Sequence, residues 1–290
     1  MAIDQFLTHL EREKRYSQHT IIAYRNDLYQ LKNFLQDDYE VELIVANSQM
    51  LRSWLVQLIE AGITNKSVNR KISSAKSFYN YMLREGKITT SPTTKLISPK
   101  VQKPLPSFVK ASEMDDLLEL FQFEDDFAGK RDALIIEILY SCGLRLSELI
   151  GIKNSDVDFY KETLKVLGKR NKERIVPLHQ KVMEQIKAYL ELKNSLFNQP
   201  ELLLTDKGKK LYPKFVYRKV NYYLSQVTTS KKKSPHVLRH TFATHMLNNG
   251  ADLNTIKEIL GHANLSATEV YTHNSIEKLK NVYKQAHPRA

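Results

Sequence analysis

Apolar residues recur at three- and four-residue steps through the first ninety or so positions, the spacing of one buried face on an α-helix. Ile3, Phe6, Leu7 and Leu10 form a first stripe. Ser17 stands where a helix N-cap belongs, ahead of Ile21, Tyr24, Leu28, Leu31 and Leu35. Asn47 precedes Met50, Leu51, Trp54, Leu55 and Leu58, with Gly62 as a stop. Asn65 precedes Val68, Ile72, Ala75, Phe78, Tyr79 and Met82, with Gly86 as the stop. The pattern predicts four helices and a compact bundle over residues 1–90.

Four prolines, at 92, 99, 104 and 106, then interrupt the pattern. Proline cannot continue a helix and pushes the residue before it towards extended backbone, so 91–107 reads as a linker. Beyond it the elements mix, which predicts an α+β domain over 108–290. A buried helix is expected over 128–141, ended by Gly143. Strands at 163–167 and 173–178 flank Gly168-Lys169-Arg170-Asn171-Lys172, a hairpin signal in which Asn171 can take a positive φ. Helices follow over 179–193, 213–226 and 236–248, the last ended by Gly250. Short helices are expected at 253–260 and 265–271, and a final one at 276–286. The fold class is thus mainly α, with a small sheet in the second domain.

Charge and rare residues narrow the function. The 290 residues include 44 Lys and Arg against 32 Asp and Glu, a net charge of +12. Such an excess favours a polyanion, with nucleic acid ahead of an anionic membrane surface. Residues 1–97 carry 13 basic and 10 acidic residues, so the excess lies mostly in the second domain. The apolar run at 133–140 is broken by Glu137, far short of the roughly 20 residues a membrane span needs. The amino terminus lacks a basic segment followed by an apolar one, so a cytoplasmic location is expected. Cys142 is the sole cysteine, which excludes an intrachain disulfide and a multi-cysteine metal site. No glycine-rich phosphate loop is present, and neither a cofactor nor a metal is expected.

From Lys207 to His240 the chain holds ten Lys or Arg and no acidic residue. Lys207, Lys209, Lys210, Lys214, Arg218, Lys219, Lys231, Lys232 and Lys233 are candidates to neutralise DNA phosphates. Tyr212, Phe215, Tyr217, Tyr222 and Tyr223 are interleaved with them, either as packing for sugars and bases or as the core face of an amphipathic helix.

His236-Val-Leu-Arg239-His240 opens a helix and places His236, Arg239 and His240 within one turn. A zinc reading fails, because Val237 holds the place of the glutamate of the metalloprotease pattern and Arg239 would repel a dication. Further along come Leu260-Gly261-His262 and Tyr271. Earlier, Gly143-Leu-Arg145-Leu-Ser-Glu148-Leu sets an arginine just after a helix-ending glycine, and Lys169 sits at the hairpin tip. Alone, each of these is an ordinary structural group.

In combination, Arg145, Lys169, His236, Arg239, His262 and Tyr271 resemble the active-site set of the tyrosine recombinases, most closely their bacterial Xer branch. The resemblance runs over nearly the whole chain and implies a SAM-like, four-helix core-binding domain, a linker and a catalytic domain. It implies that Arg145 and Arg239 clamp the scissile phosphate, that His236 is the base and His262 a donor to the phosphate, that Lys169 is the general acid, and that Tyr271 is the nucleophile holding a 3′-phosphotyrosine. The residue types suit that chemistry. A phosphodiester is anionic, arginine is permanently charged and binds phosphate with two prongs, and a phenol of pKa about 10 needs a base and a positive field to attack. Energy conserved in the phosphotyrosine allows rejoining without ATP or metal.

Arg170 departs from the glycine that many relatives have after the hairpin lysine, which leaves Lys172 as an alternative acid. Glu148 is either the group that orients Arg145 or a solvated carboxylate. The final helix either packs on its own domain or, as the resemblance implies, docks on the next protomer. The resemblance also implies double-stranded DNA as partner, a homo- or heterotetramer with a paralogous recombinase on two sites, and a cell-division DNA translocase as activator. The expected role is resolution of chromosome dimers at a dif-like site. A mobile-element integrase, a type IB-like topoisomerase and a non-catalytic DNA-binding protein are the alternatives.

Overall fold

The computed structural model describes residues 2–101, 107–168, 171–261 and 273–289. It divides into two compact units, Met1–Pro104 and Leu105–Ala290.

The first unit holds α1 (Ala2–Arg12), α2 (Gln18–Tyr39), α3 (Ser48–Glu60) and α4 (Asn65–Arg84). Ser17 and Asn47 cap α2 and α3 through their side-chain oxygens, as their positions before each apolar stripe require. The cap of α4 is Thr64, one residue ahead of the expected Asn65. Phe6, Leu28, Leu31, Trp54, Phe78 and Tyr79 form the centre of the core, and the Tyr79 hydroxyl donates to the Leu43 carbonyl at 2.8 Å. The one deeply buried acid described in this unit, Asp27 of α2, is held from α4 by Lys71 at 3.0 Å, by the Ser74 hydroxyl at 2.8 Å and by Arg70. The first part of the proline-rich segment docks here too. Leu96 is buried in the same core, and Asn69 and Asn65 each donate to a carbonyl, those of Pro99 and Lys100, at 2.9 Å.

The second unit is built around α6 (Phe127–Ser141), which follows α5 (Ala111–Asp115) and a π turn (Asp116–Leu120). Leu134, Ile135, Ile136, Ile138, Leu139 and Tyr140 of α6 are each within 1% of fully buried, so this helix is apolar on nearly every face and sits centrally. Then come α7 (Leu146–Gly151) and a three-stranded antiparallel sheet of β1 (Val157–Asp158), β2 (Thr163–Leu167) and β3 (Glu173–Pro177), in that order. The β2–β3 hairpin pairs Leu167 with Glu173, and Asn171 takes a φ of 55° at its turn, as the sequence predicts. The short β1 escaped the sequence reading, because two residues carry no alternation.

The rest is helical: α8 (Gln180–Leu196), α9 (Pro213–Val227), α10 (Pro235–Asn248), α11 (Leu253–Leu260) and α12 (His273–Ala286). The short helix expected at 265–271 lies outside the described residues. α12 packs on its own unit, with Leu279, Tyr283 and Ala286 in the shared core. The Tyr283 hydroxyl donates to the Ser141 carbonyl at 3.0 Å, and just past α12 Arg289 pairs with the buried Glu137 at 3.0 Å. Among the described residues no helix is long and apolar enough to cross a membrane.

Candidate active site

Gly143 ends the path out of α6 with a φ of 57°, and a Cβ there would lie 2.6 Å from Phe242 and 2.9 Å from Leu260. Only glycine fits both the turn and the space. The turn delivers Arg145 to the N-cap of α7, half-buried. Glu148, in the first turn of that helix, accepts the Arg145 backbone N–H at 2.8 Å and its Nη1 at 2.6 Å. It is 5% exposed, so it orients Arg145 and is not a solvated carboxylate.

A second arginine shares that carboxylate. Arg174 of β3 donates to Glu148 through Nη1 and Nη2 at 3.0 and 2.9 Å. Burial alone would raise the Glu148 carboxyl, but the Arg174 fork and charge, with the bonds from Arg145, bring it down to about 2.

Arg239, in the first turns of α10, comes in from the other side. It is 8% exposed and donates from Nη1 to the Gly143 carbonyl at 2.6 Å and from Nη2 to the Leu260 carbonyl at 2.7 Å. Burial lowers its guanidinium to about 10, and Arg145 and Arg174 push the same way against the attraction of Glu148. At that value it is still charged near neutral pH.

The three arginines converge on the C-terminus of α11. Arg174 Nε donates to Ile259 O at 2.6 Å, Arg239 to Leu260 O, and Arg145 Nη2 to Gly261 O at 3.2 Å. A helix leaves its last carbonyls without helical partners, and cations are favoured there. Here three consecutive carbonyls each meet a different arginine. Three guanidiniums against one carboxylate, among the described residues, leave an excess of two positive charges: a site suited to an anion. His236 lies exposed in the first turn of α10, one turn before Arg239. Lys169, Arg170, His262 and Tyr271 lie outside the described residues. Two glycines that directly precede them in the chain, Gly168 at the end of β2 and Gly261 after α11, both abut the cluster: a Cβ on Gly168 would come 3.6 Å from Glu148 and one on Gly261 3.0 Å from Arg174.

Residues 108–278 match the phage integrase family, and residues 3–86 match the phage integrase N-terminal SAM-like domain. The chain is 39% identical to the tyrosine recombinase XerC of Chlorobaculum parvum, covering 99% of this chain and 94% of that one. The chain belongs to the phage integrase family. It is a DNA breaking-rejoining tyrosine recombinase, and its likeness falls on the Xer branch. The XerC of a Staphylococcus aureus strain is also 39% identical, over 99% of this chain and 96% of the relative. Among solved structures, XerH bound to palindromic difH substrate in a post-cleavage complex shares the fold, with a TM-score of 0.74 at 21% identity over 96% of this chain and 83% of that one.

The basic stretch of the recombinase divides by direction. Lys207, Lys209 and Lys210 are exposed on the loop before α9. Lys214, Tyr217, Arg218 and Tyr222 form the outward stripe of α9, while Phe215 and Tyr223 face the core. The aromatic residues therefore divide: Phe215 and Tyr223 belong to the core face of an amphipathic helix, and Tyr217 and Tyr222 stand exposed among the basic residues. Lys231 and Lys232 are exposed and Lys233 partly so, on a loop tied to α9 by the Asn221 side chain, which donates to the Lys233 carbonyl at 3.2 Å. Lys219 points the other way. Its Nζ lies 2.6 Å from Asp132, a buried acid of α6 that also accepts the Tyr223 hydroxyl at 3.0 Å. Arg174 was missed as a site residue by sequence reasoning, although it stands two positions before inward-facing Val176, on the same face of β3.

Proposed function

We propose that the recombinase cuts one strand of duplex DNA at a short specific site by attack of the Tyr271 phenol on a phosphodiester held by Arg145 and Arg239. The observation that carries this reading is the convergence of those two guanidiniums, from α7 and α10, on the end of α11 directly before His262. Positive charge fixed before the substrate arrives is what an anionic, trigonal-bipyramidal phosphorane needs. The phenol oxygen bonds to phosphorus as the bond to the 5′-oxygen breaks, leaving a 3′-phosphotyrosine and a free 5′-hydroxyl. In this reading His236 takes the phenol proton, Lys169 gives one to the departing oxygen, and His262 donates to a non-bridging oxygen. Attack by a 5′-hydroxyl from a second duplex reverses the step and exchanges strands.

The outward stripe of α9 and the loops carrying Lys207 to Lys210 and Lys231 to Lys233 would follow the DNA backbone. Two duplexes and four active sites imply a tetramer, either of this chain alone or with a paralogous recombinase. The XerC relatives and the difH-bound XerH favour a dif-like chromosomal site, and with it resolution of chromosome dimers under a cell-division DNA translocase, over a mobile-element role.

The test is a nicked duplex, selected by the full chain from a randomised pool, whose cut strand loses a short fragment on cleavage. A covalent protein–DNA band that Tyr271→Phe abolishes is the expected result. A band that survives Tyr271→Phe, or none on a duplex the protein binds, overturns the assignment.

A further inference from the structure

Arg174 is the member of the cluster that the proposed chemistry leaves unused. It stands on β3, five positions after Lys169, with a side chain only 5% exposed. Its planar fork takes both oxygens of Glu148, and its Nε reaches the Ile259 carbonyl, so three bonds fix its orientation. One side chain thereby ties the hairpin strand to α7 and to the end of α11. Those are the elements that carry or directly precede Lys169, Arg145 and His262.

The charge balance gives this tie a chemical consequence. Glu148 lies within bonding distance of Arg145, and its Oε2 is 3.8 Å from Arg239 Nη1, close enough for attraction but too far for a hydrogen bond. With Arg174 occupying both oxygens, Arg239 keeps its donors on the Gly143 and Leu260 carbonyls. Without Arg174, a buried carboxylate would be left short of partners, and the only described cations beside it would be Arg145 and Arg239. Arg239 would turn its donors to it, and Arg145, which already donates to it through Nη1, would be drawn further onto it, because an under-partnered buried charge is costly. The positive field would then be spent inside the protein.

We propose that Arg174 is a positioning residue of the recombinase: it occupies the Glu148 carboxylate so that Arg145 and Arg239 remain available to the phosphate, and it fixes the hairpin strand to the Ile259 carbonyl at the end of α11, three residues before His262. This rests on Arg145 and Arg239 being the phosphate ligands. A purely structural ion pair would lower stability without regard to the charge of the substrate, and the two roles separate on that point.

The experiment compares wild type, Arg174→Met, Arg174→Lys and the double variant Glu148→Gln/Arg174→Met. The probes are the nicked duplex described above and the same duplex with a methylphosphonate at the scissile position, which removes the anion that the arginines hold. On the phosphodiester, Arg174→Met is expected to slow covalent-adduct formation about 100-fold, the scale of a small misplacement of catalytic groups, while duplex affinity stays nearly unchanged. On the methylphosphonate most of that slowing disappears. Arg174→Lys falls between, keeping the charge but not the fork. The double variant is faster than Arg174→Met, because no carboxylate is left to draw the arginines inward. Equal slowing on both duplexes, or a double variant no faster than the single one, overturns the proposal. If Arg174→Met does not fold, the same comparison of two duplexes with Arg174→Lys decides it. Failure of the recombinase reading itself looks different: the wild-type chain then forms no adduct, or Tyr271→Phe keeps it.

Discussion

Arg239 of α10 donates to the carbonyl of Gly143 at 2.6 Å, so the turn that positions one arginine of the site is also the anchor of the other. Gly143→Ala strikes both. The left-handed backbone costs a non-glycine residue about 1–2 kcal/mol, and the added methyl must displace Phe242 and Leu260 at 2.6 and 2.9 Å, which adds about 1–3 kcal/mol. A stability loss of about 2–5 kcal/mol in urea is expected. Adduct formation should fall even under conditions where the variant is folded.

Arg239→Lys keeps a positive charge but offers one ammonium where a planar group now spans two carbonyls, those of Gly143 and Leu260. A lysine can satisfy one of them and turn to the phosphate with nothing left to hold it. Adduct formation should drop by about 100-fold or more, the cost of losing a preorganised donor at the developing charge, with a much smaller change in duplex affinity. Single-turnover kinetics beside a binding titration would separate the two effects.

Local signals carried most of the fold. Ser17 and Asn47 mark helix starts by capping chemistry, and Gly62, Gly86, Gly143, Gly250 and Gly261 all take positive φ at helix ends. The end of α2 was not legible, because Glu40 adopts the left-handed cap at φ 57° where no glycine announces it. Of the site, Arg145 and Arg239 were visible through their motifs. What they touch was not, since Gly143, Leu260 and Gly261 meet them only through tertiary packing. Two inward charges did leave a periodic trace. Arg174 shares the period of two with Val176, and Lys219 stands midway between core-facing Phe215 and Tyr223 at four-residue steps. A charged residue on the buried phase of its element implies a buried partner, here Glu148 and Asp132.

His287, just beyond α12, makes the second unit sensitive to acid. It is 3% exposed, stacked 4.9 Å from Tyr283, and faces Glu137, His179 and Arg289 at the same locus. Burial, with the nearby His179 next, lowers it to about 3, so the folded chain holds it neutral. The unfolded chain binds its proton near the ordinary value of 6.5. Between those values the unfolded state carries more protons, so stability falls as pH drops from 6.5 towards 3, by up to about 1.4 kcal/mol per pH unit from this group. His287→Phe keeps the stacking and removes the titration. Its melting temperature should decline less than that of wild type between pH 7 and pH 5, and parallel declines would remove His287 as the cause.

Lys219 and the three lysines at 231–233 make opposite predictions although both belong to the basic stretch. Lys219 is committed to Asp132, and its removal leaves that buried carboxylate with Arg131 and the Tyr223 hydroxyl alone. Lys219→Gln should therefore cost stability, about 1–3 kcal/mol, while the dependence of duplex affinity on salt stays that of wild type. Lys231, Lys232 and Lys233 have no such partner among the described residues. Replacing all three by Gln should leave the melting temperature unchanged and flatten the plot of log affinity against log salt by about 0.9 for each DNA phosphate that is no longer neutralised. Titrations at several salt concentrations, set beside urea melts of the same variants, give both quantities. A salt slope that follows Lys219 and ignores the triple variant would mean that the DNA backbone meets the α6 side of α9 and not its outward stripe.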